Sequence, residues 1–242
     1  MRENWNIIVD EYASMVGETG DVYHRKYLNP VVFSMLGNIK NKRILDLACG
    51  QGYFSRKLAG NGANVTGIDI SDKLLAIAIK KEQSQVRKRI RYLIMSSENI
   101  SEIDDEIFDF IISNVSFHDI KNISRTLSEC SKIIRKGGKI IFSIPHPITD
   151  FSEKTIVGGK IKNLMDGYLS ERKRPHKFSN RLSVYHRPLE FYIKNLLKYG
   201  FLVSDFKEIP TFLSKGKKIK DKKLIEFKKE FPTFLIIEGT KT

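Results

Sequence analysis

The sequence predicts an α/β fold in which helices cover both faces of a mainly parallel, doubly wound sheet. Segments typical of strands and helices alternate from residue 43 to residue 145. The strand segments are continuous apolar runs, as expected for strands buried on both faces. A chain of 242 residues with 41% hydrophobic content fits one large domain better than two small ones. Repeated β-α units of this kind build a parallel sheet between two helical layers.

Residues 1–40 precede the alternation, and we expect them to be helical. Four apolar residues recur at helical spacing: Trp5, Ile8, Tyr12 and Met15. They predict an amphipathic helix that ends near Gly17. A second short helix is predicted from Asp21 until Asn29 and Pro30 interrupt it.

The alternating part predicts five strands and three helices in order. The strands are expected over residues 43–48, 64–70, 90–95, 108–115 and 138–145. The helices are expected over residues 53–60, 71–82 and about 123–137, with Ser71 as the N-cap of the second.

The pattern changes after Pro147. An irregular insertion is expected over residues 148–185, followed by a helix from Pro188 to Gly200 and strands over residues 201–209 and 233–239. A lysine-rich excursion, residues 211–231, separates these last two strands. Loops of this length inside a compact domain are usually functional or disordered.

The composition restricts the partners and the compartment. The formal net charge is +14, and most of the excess lies in residues 146–231. A basic surface attracts RNA, anionic lipids, phosphorylated metabolites or acidic peptides, although a solvated lysine-rich surface explains it equally well. Cys49 and Cys130 form no CxxC pair, so neither a disulfide framework nor a metal site is expected. We expect no secretory signal, no membrane span and a cytoplasmic location.

The segment "DLACGQG", residues 46–52, lies where a doubly wound fold binds its ligand. In such a sheet, ligands bind at the carboxyl ends of the strands, usually against the loop after the first strand. Gly50 and Gly52 allow a sharp turn and a close approach of the backbone. Asp69, at the end of the second predicted strand, can accept the hydrogens of a ribose diol. Together these residues predict a cofactor that contains a nucleoside.

Two classes of cofactor compete for this site. A dinucleotide site favours G-x-G-x-x-G, but Ser55 stands in the third glycine position. Asp46 places a carboxylate beside the loop, which would repel a pyrophosphate and attract a sulfonium or ammonium group. The charge therefore favours S-adenosylmethionine over a nicotinamide dinucleotide.

The loop "ILDLACGQG", the acidic residue that closes the second strand and the segment "SKIIRKGGKIIFSIPHP" together resemble the class I S-adenosylmethionine-dependent methyltransferases. The segments "WNIIVDEYASMVGETGDVYHRKYLNP", "NVSFHDI" and "YHRPLEFYIKNLLKYGF" resemble, more narrowly, the bacterial members that modify small molecules or natural products. The resemblance implies a Rossmann-like, mainly parallel seven-stranded sheet over residues 41–242, an N-terminal helical lid over residues 1–40, and an insertion after the fifth strand.

The resemblance also implies a set of cofactor-binding residues. The cradle for the methionine end would be formed by Asp46, Ala48, Gly50 and Gly52. Asp69 would bind the ribose, Ile70 would pack on the adenine, and Ser97 or Glu98 would approach the adenine amino group. Asn114 would lie beside the methionine moiety, and Tyr12 and Arg25 would belong to the lid. Family members often carry glycine where this chain has Ala48.

Methyl transfer from a sulfonium needs alignment and exclusion of water more than it needs catalytic side chains. His118 and His146 follow the fourth and fifth predicted strands, so they are the candidates for a general base. Tyr185 and Arg187, with the insertion, are the candidates for binding the acceptor, which the basic composition predicts to be acidic.

The predicted function is methylation of an oxygen or nitrogen on a small molecule or a peptide-derived natural product, with S-adenosylhomocysteine as the second product. An RNA methyltransferase is the alternative that the lysine-rich segment 215–229 supports. A non-catalytic protein that binds the cofactor and a nicotinamide oxidoreductase are the remaining alternatives. The sequence does not predict an oligomeric state.

Overall fold

The computed structural model describes residues 2–82, 90–103, 107–176, 179–214 and 216–242. Its centre is a seven-stranded sheet in the order β3-β2-β1-β4-β5-β13-β10. Strands β3, β2, β1, β4 and β5 are parallel, and β13 runs antiparallel to both β5 and β10. The predicted doubly wound, mainly parallel sheet is confirmed. The strands of this sheet are β1 (Arg43–Leu47), β2 (Asn64–Asp69), β3 (Ile90–Ile94), β4 (Phe108–Asn114), β5 (Ile134–Pro145), β10 (Phe201–Ile209) and β13 (Phe234–Lys241).

Helices lie on both faces of the sheet and across its carboxyl edge. They are α1 (Arg2–Ile7), α2 (Val9–Val16), α3 (Asn29–Leu36), α4 (Tyr53–Gly60), α5 (Asp72–Glu82), α6 (Ile123–Ile133), α7 (Pro147–Asp150), α8 (Leu189–Lys198) and α9 (Lys222–Glu230). A π-helical turn, His24–Leu28, precedes α3, and a 3-10 turn spans Ile100–Glu102. The Ser71 hydroxyl accepts the Leu74 N–H at 3.1 Å, which confirms Ser71 as the N-cap of α5.

The alternation of side chains along each strand divides the core into two layers. Ile140 and Phe142 of β5 pack with α6 and α8, whereas Ile141 packs with α3 and α4 on the opposite face. All three are buried. Burying one such side chain stabilises the fold by about 1.5–3 kcal/mol. The continuous apolar runs in the sequence therefore reflect strands covered on both faces.

The N-terminal segment differs from the prediction in two respects. The expected single helix is broken at Ile8 into α1 and α2, although α2 does end at Gly17. The expected interruption at Asn29 and Pro30 is wrong, because the π-helical turn continues directly into α3. Pro30 occupies the first turn of α3, where its missing N–H leaves no helical hydrogen bond unmade.

The segments expected to be irregular contain regular hairpins. The insertion contains two antiparallel pairs, β6 (Glu153–Val157) with β7 (Lys160–Leu164) and β8 (Arg172–His176) with β9 (Ser179–His186). The lysine-rich excursion holds a short pair, β11 (Leu213–Ser214) with β12 (Lys217–Lys218), and then α9. Lys215 of that excursion and residues 177–178 of the insertion lie outside the described residues. Helix α6 ends at Ile133 instead of near residue 137, because β5 begins directly at Ile134.

In the part of the chain that the structure describes, no helix is both long and apolar enough to cross a lipid bilayer.

Candidate functional site

The loop after β1 turns through three residues in the left-handed backbone region. They are Ala48 (φ +59°), Gly50 (φ +55°) and Gly52 (φ +75°). A Cβ atom on Gly52 would collide with the Tyr92 hydroxyl and the Ala78 methyl group, so only glycine fits there. A Cβ atom on Gly50 would lie 3.2 Å from the Tyr12 ring. The loop is therefore packed tightly on both sides.

Asp69, the last residue of β2, fixes this loop to the second strand. Its Oδ2 accepts the Gly50 N–H at 2.8 Å, and its Oδ1 accepts the Ser71 N–H at 2.8 Å. Burial raises the pKa of Asp69 to about 6, although the N–H bonds act in the opposite direction. Each carboxylate oxygen keeps a lone pair, so Asp69 can accept further hydrogen bonds from a ligand.

Asp46 lies behind the loop and does not reach the cavity described below. It is 2% exposed, and its Oδ2 accepts the Ser55 hydroxyl at 2.5 Å. Burial raises its pKa to about 7, and the nearby charge of Asp69 adds to the effect. Ser55, which replaces the third glycine of a dinucleotide motif, therefore serves as the partner of Asp46. Burial also raises the pKa of the Cys49 thiol, which fits a packing role for that residue.

A cavity of about 340 Å³ lies at the carboxyl ends of the parallel strands. Nine residues predicted from the sequence line it: Tyr12, Ala48, Gly50, Asp69, Ile70, Ser97, Glu98, Asn114 and His118. Six others do not: Asp46, Gly52, Arg25, His146, Tyr185 and Arg187. The structure thus brings together residues from five separate segments of the chain.

The N-terminal helices cover one side of this cavity. Tyr12 and Trp5 form its wall with their rings 5.8 Å apart, and Trp5 also meets the His176 ring at 5.8 Å. Asn6 connects α1 to the start of α5, since its amide donates to Asp72 Oδ1 at 2.7 Å and accepts the Ser71 hydroxyl at 2.6 Å. Arg25 donates to the Gly20 carbonyl and so shapes the turn before the π-helical segment.

Asn114, at the end of β4, is held by neighbours on three elements. Its amide nitrogen lies 3.0 Å from the Tyr53 hydroxyl and 3.2 Å from Asn29 Oδ1, and its Oδ1 accepts the Ser143 hydroxyl at 2.6 Å. Val115 follows at φ +59° and is half-buried. This network orients the strand end toward the cavity.

The two candidate bases have different environments. His118 is buried on the cavity wall, with its Nε2 3.5 Å from Asp119 Oδ1. His146 instead caps α7, because its Nδ1 accepts the Ile148 N–H at 3.2 Å while its Nε2 lies 2.9 Å from Glu208 Oε1. Burial lowers the pKa of His146. The structure therefore gives His146 a capping role away from the cavity.

The two candidate acceptor residues also lie outside the main cavity. Tyr185 donates its N–H to the His118 carbonyl at 2.8 Å and lines a second cavity of about 190 Å³, which shares Trp5 and Asp119 with the first. Arg187 is 2% exposed, and its guanidinium donates to the Ile120 and Lys121 carbonyls at 2.9 and 2.8 Å. Its Nη2 holds the loop after β4, its Nε lies 3.6 Å from Glu171 Oε2, and it does not line the cavity, so we assign it no contact with an acceptor.

Sequence reasoning missed the residues that close the cavity from the inserted elements. Arg174 and His176 come from β8, Lys228 comes from α9, and Asp150 comes from α7. The sequence signals for them are the predicted acceptor-binding role of the insertion 148–185 and the positive excess of residues 146–231, neither of which identifies individual side chains. Among the described ranges, no group of three His, Cys, Asp or Glu residues is placed to hold a metal ion.

Comparison with known proteins identifies related chains. Residues 45–142 match the sequence profile of a family described as "Methyltransferase domain". An uncharacterized Haemophilus influenzae protein is 32% identical over 189 residues, which are 74% of each chain. A ubiquinone biosynthesis O-methyltransferase from Hydrogenovibrio crunogenus is 27% identical over 140 residues, so the match covers 58% of the length of that enzyme. The crystal structure of an S-adenosylmethionine-dependent methyltransferase from Mesorhizobium loti superimposes with a TM-score of 0.74 at 24% identity, over 93% of this chain and 100% of that one.

Proposed function

The chain belongs to the class I S-adenosylmethionine-dependent methyltransferases, and we propose that it transfers a methyl group from this cofactor to an oxygen or nitrogen atom of a small molecule. A peptide-derived natural product is included in this class of acceptor. The family assignment leaves no support for a nicotinamide oxidoreductase.

The observation that carries the proposal is one continuous cavity bounded by Asp69 and Gly50 at the ends of β2 and β1 and by His118 and His176 beyond them. Its volume of about 340 Å³ falls within the range of about 300–1,000 Å³ that is typical of small-molecule sites. The lid helices and the β8–β9 hairpin both contribute to its wall. A site of this volume favours a small acceptor over a folded RNA.

The residues of the cavity wall fit the chemistry of the cofactor. S-adenosylmethionine supplies a methyl group already activated on a sulfonium. The Asp69 carboxylate can accept both ribose hydroxyls, and Ile70 offers an apolar surface for the adenine. Ser97 and Glu98 offer polar groups beside it, while Ala48, Gly50 and Asn114 would hold the methionine end.

Of the histidines on the wall, we assign His118 as the base that accepts a proton from the acceptor, because Asp119 lies beside it. A hydroxyl or ammonium acceptor loses a proton during methylation, so a positioned base increases the rate. Asp119 Oδ1, 3.5 Å from His118 Nε2, stabilises the imidazolium that forms. The remaining contribution of the protein is alignment and exclusion of water.

The proposal is tested by incubating the protein with S-adenosylmethionine labelled in its methyl group and an extract of the native host, which is then separated into small molecules, peptides, protein and RNA. Asp69→Ala is the inactive control, and Asp166→Ala, at an exposed position, is the matched active control. Label in the small-molecule or peptide fraction that requires Asp69 supports the proposal. Label confined to RNA would assign the protein to the RNA-modifying enzymes, and the absence of any Asp69-dependent label would indicate a protein that binds the cofactor without turnover.

A further inference from the structure

The inserted elements bring two cationic side chains to the wall of the main cavity. Arg174 comes from the β8–β9 hairpin and Lys228 from α9. Both lie near the end of β5: Arg174 pairs with Asp150 of α7, which follows β5, and Lys228 contacts Thr233, whose carbonyl accepts the His146 N–H at 2.9 Å. Two separate insertions therefore converge on one strand end.

Lys228 is a cation in a partly desolvated position. Its Nζ donates to the Thr233 hydroxyl at 3.2 Å, and the described residues place no carboxylate within ion-pair distance of it. Burial lowers the pKa of Lys228, and the neighbouring charge of Lys154 lowers it further. Removing an ammonium from water without an acidic partner is costly, so an anion at this position would be strongly favoured.

Arg174 lies on the same cavity with part of its hydrogen-bonding capacity in use. Its Nη2 donates to Asp150 Oδ1 at 2.9 Å, and its guanidinium lies 4.9 Å from the centre of the Phe151 ring. A guanidinium has five N–H donors, so this pairing leaves donors for a second oxygen. The Phe151 ring holds the guanidinium plane in place.

Among the described residues, none of the five acidic side chains of the cavity wall forms an ion pair with Lys228, and three of the five have donors of their own. Asp69 accepts the N–H groups of Gly50 and Ser71, Asp21 accepts the N–H groups of Tyr23 and His24, and Asp150 accepts the bond from Arg174. Asp119 lies beside His118. Asp69, which we assign to the ribose, and Lys228 thus lie on different elements of the cavity wall.

We propose that Lys228 and Thr233, with Arg174 beside them, bind an anionic oxygen group of the methyl acceptor, either a carboxylate or a phosphate ester. This inference rests on the proposed function, since it assigns the acceptor end of the same cavity. The acceptor class is then a small molecule that carries a carboxylate or a phosphate ester, with its nucleophile on a different part of the molecule.

The test uses benzoate as the probe and benzamide as its neutral isostere, because aromatic and apolar side chains such as Trp5, Val184 and Phe234 line the same cavity. Both are titrated calorimetrically at constant ionic strength into the protein, alone and after saturation with S-adenosylhomocysteine. We expect benzoate to bind at least about tenfold more tightly than benzamide, as for a charge-assisted hydrogen bond. Lys228→Gln should reduce this preference to about twofold or less, while Lys228→Arg should retain most of it.

Lys229→Gln is the matched control, because Lys229 is the exposed neighbour of Lys228 on α9. We expect it to leave the preference unchanged. Equal binding of benzoate and benzamide to the wild-type protein, or no benzoate binding up to about 10 mM, overturns the inference. The inference is also overturned if Lys228→Gln keeps the preference for benzoate over benzamide. It is overturned as well if Lys229→Gln loses that preference to the same extent as Lys228→Gln.

A parallel titration with phenyl phosphate separates the two acceptor groups. Tighter binding of phenyl phosphate than of benzoate, lost in Lys228→Gln, assigns the site to phosphate esters, and the reverse order assigns it to carboxylates. The binding of S-adenosylhomocysteine in the same samples distinguishes the two proposals. Cofactor binding without a preference for benzoate leaves the methyltransferase function standing and removes the anionic subsite, whereas failure to bind the cofactor contradicts the proposed function itself.

Discussion

Replacing Asp46 by asparagine should weaken the pH dependence of stability. Asp46 is 2% exposed, and burial raises its pKa from the ordinary 3.8 to about 7. Between these two values the folded protein binds a proton that the unfolded chain releases. Stability from this group is therefore fully present below pH 3.8 and is lost as the pH rises through 7.

The magnitude follows from the two pKa values. At 1.36 kcal/mol per pH unit, the full effect is about 4 kcal/mol, and the part that falls between pH 5 and pH 8 is about 2–3 kcal/mol. The introduced asparagine side chain carries no charge at either pH, and its oxygen can still accept the Ser55 hydroxyl. The wild-type protein should therefore lose about 2–3 kcal/mol more of its free energy of unfolding over this range than Asp46→Asn does.

The measurement is urea unfolding of both proteins at pH 5 and pH 8, followed by circular dichroism. Comparing the change with pH, and not the stability at one pH, removes any packing effect of the amide itself. Asp166→Asn, at an exposed position, serves as the control and should follow the wild type. An equal change in the free energy of unfolding between pH 5 and pH 8 for wild type and Asp46→Asn would falsify the conclusion that Asp46 is a costly buried carboxylate.

Three further predictions concern the strained residue, the base and the lid. Ala48 has a left-handed backbone (φ +59°), so Ala48→Gly should relieve about 1 kcal/mol of strain, seen as a raised Tm, and a lowered Tm would contradict this. His118→Ala should reduce turnover on the natural acceptor by about 10²–10⁴-fold with little change in cofactor affinity, while His146→Ala should mainly lower stability; equal turnover for His118→Ala and wild type would remove the base. Asn6→Ala removes the bonds from α1 to Ser71 and Asp72, so S-adenosylhomocysteine should dissociate several-fold faster in stopped-flow measurements, and an unchanged rate would show that α1 does not retain the cofactor.

The sheet, and the residues that meet at its carboxyl edge in the candidate cofactor site, could be predicted from the sequence because their signals are local. Strands buried on both faces must be apolar throughout, and Gly50, Gly52 and Asp69 stand at fixed positions relative to those strands. Gly52 was predicted to belong to the cofactor cradle, but the structure shows that it makes room for Tyr92 and does not line the cavity. The position of a glycine in the loop after β1 indicates that a Cβ atom is excluded there. It does not indicate which neighbouring residue would collide with that atom.

The insertion was predicted to bind the acceptor, but the individual residues of the proposed acceptor end could not be predicted, because they meet only through tertiary contacts. Lys228 and Arg174 are 54 residues apart in the chain and belong to two different insertions. His146 was singled out because it follows a predicted strand, and Arg187 because a guanidinium can bind an acidic acceptor. The structure instead uses them on the first turn of α7 and on the Ile120 carbonyl. A polar side chain next to a strand end can hydrogen-bond to backbone groups as readily as to a ligand.

The most direct test of the site is calorimetric titration of S-adenosylhomocysteine into the wild-type protein and into Asp69→Ala. We predict binding of one molecule per chain to the wild type and a loss of at least about tenfold in affinity for the variant, because each hydrogen bond to a charged group contributes about 1.5–3 kcal/mol. The fold of the variant is checked by circular dichroism. No binding to the wild type, or equal affinity for a folded Asp69→Ala, would contradict the assignment of the Gly50–Asp69 end of the cavity to the cofactor.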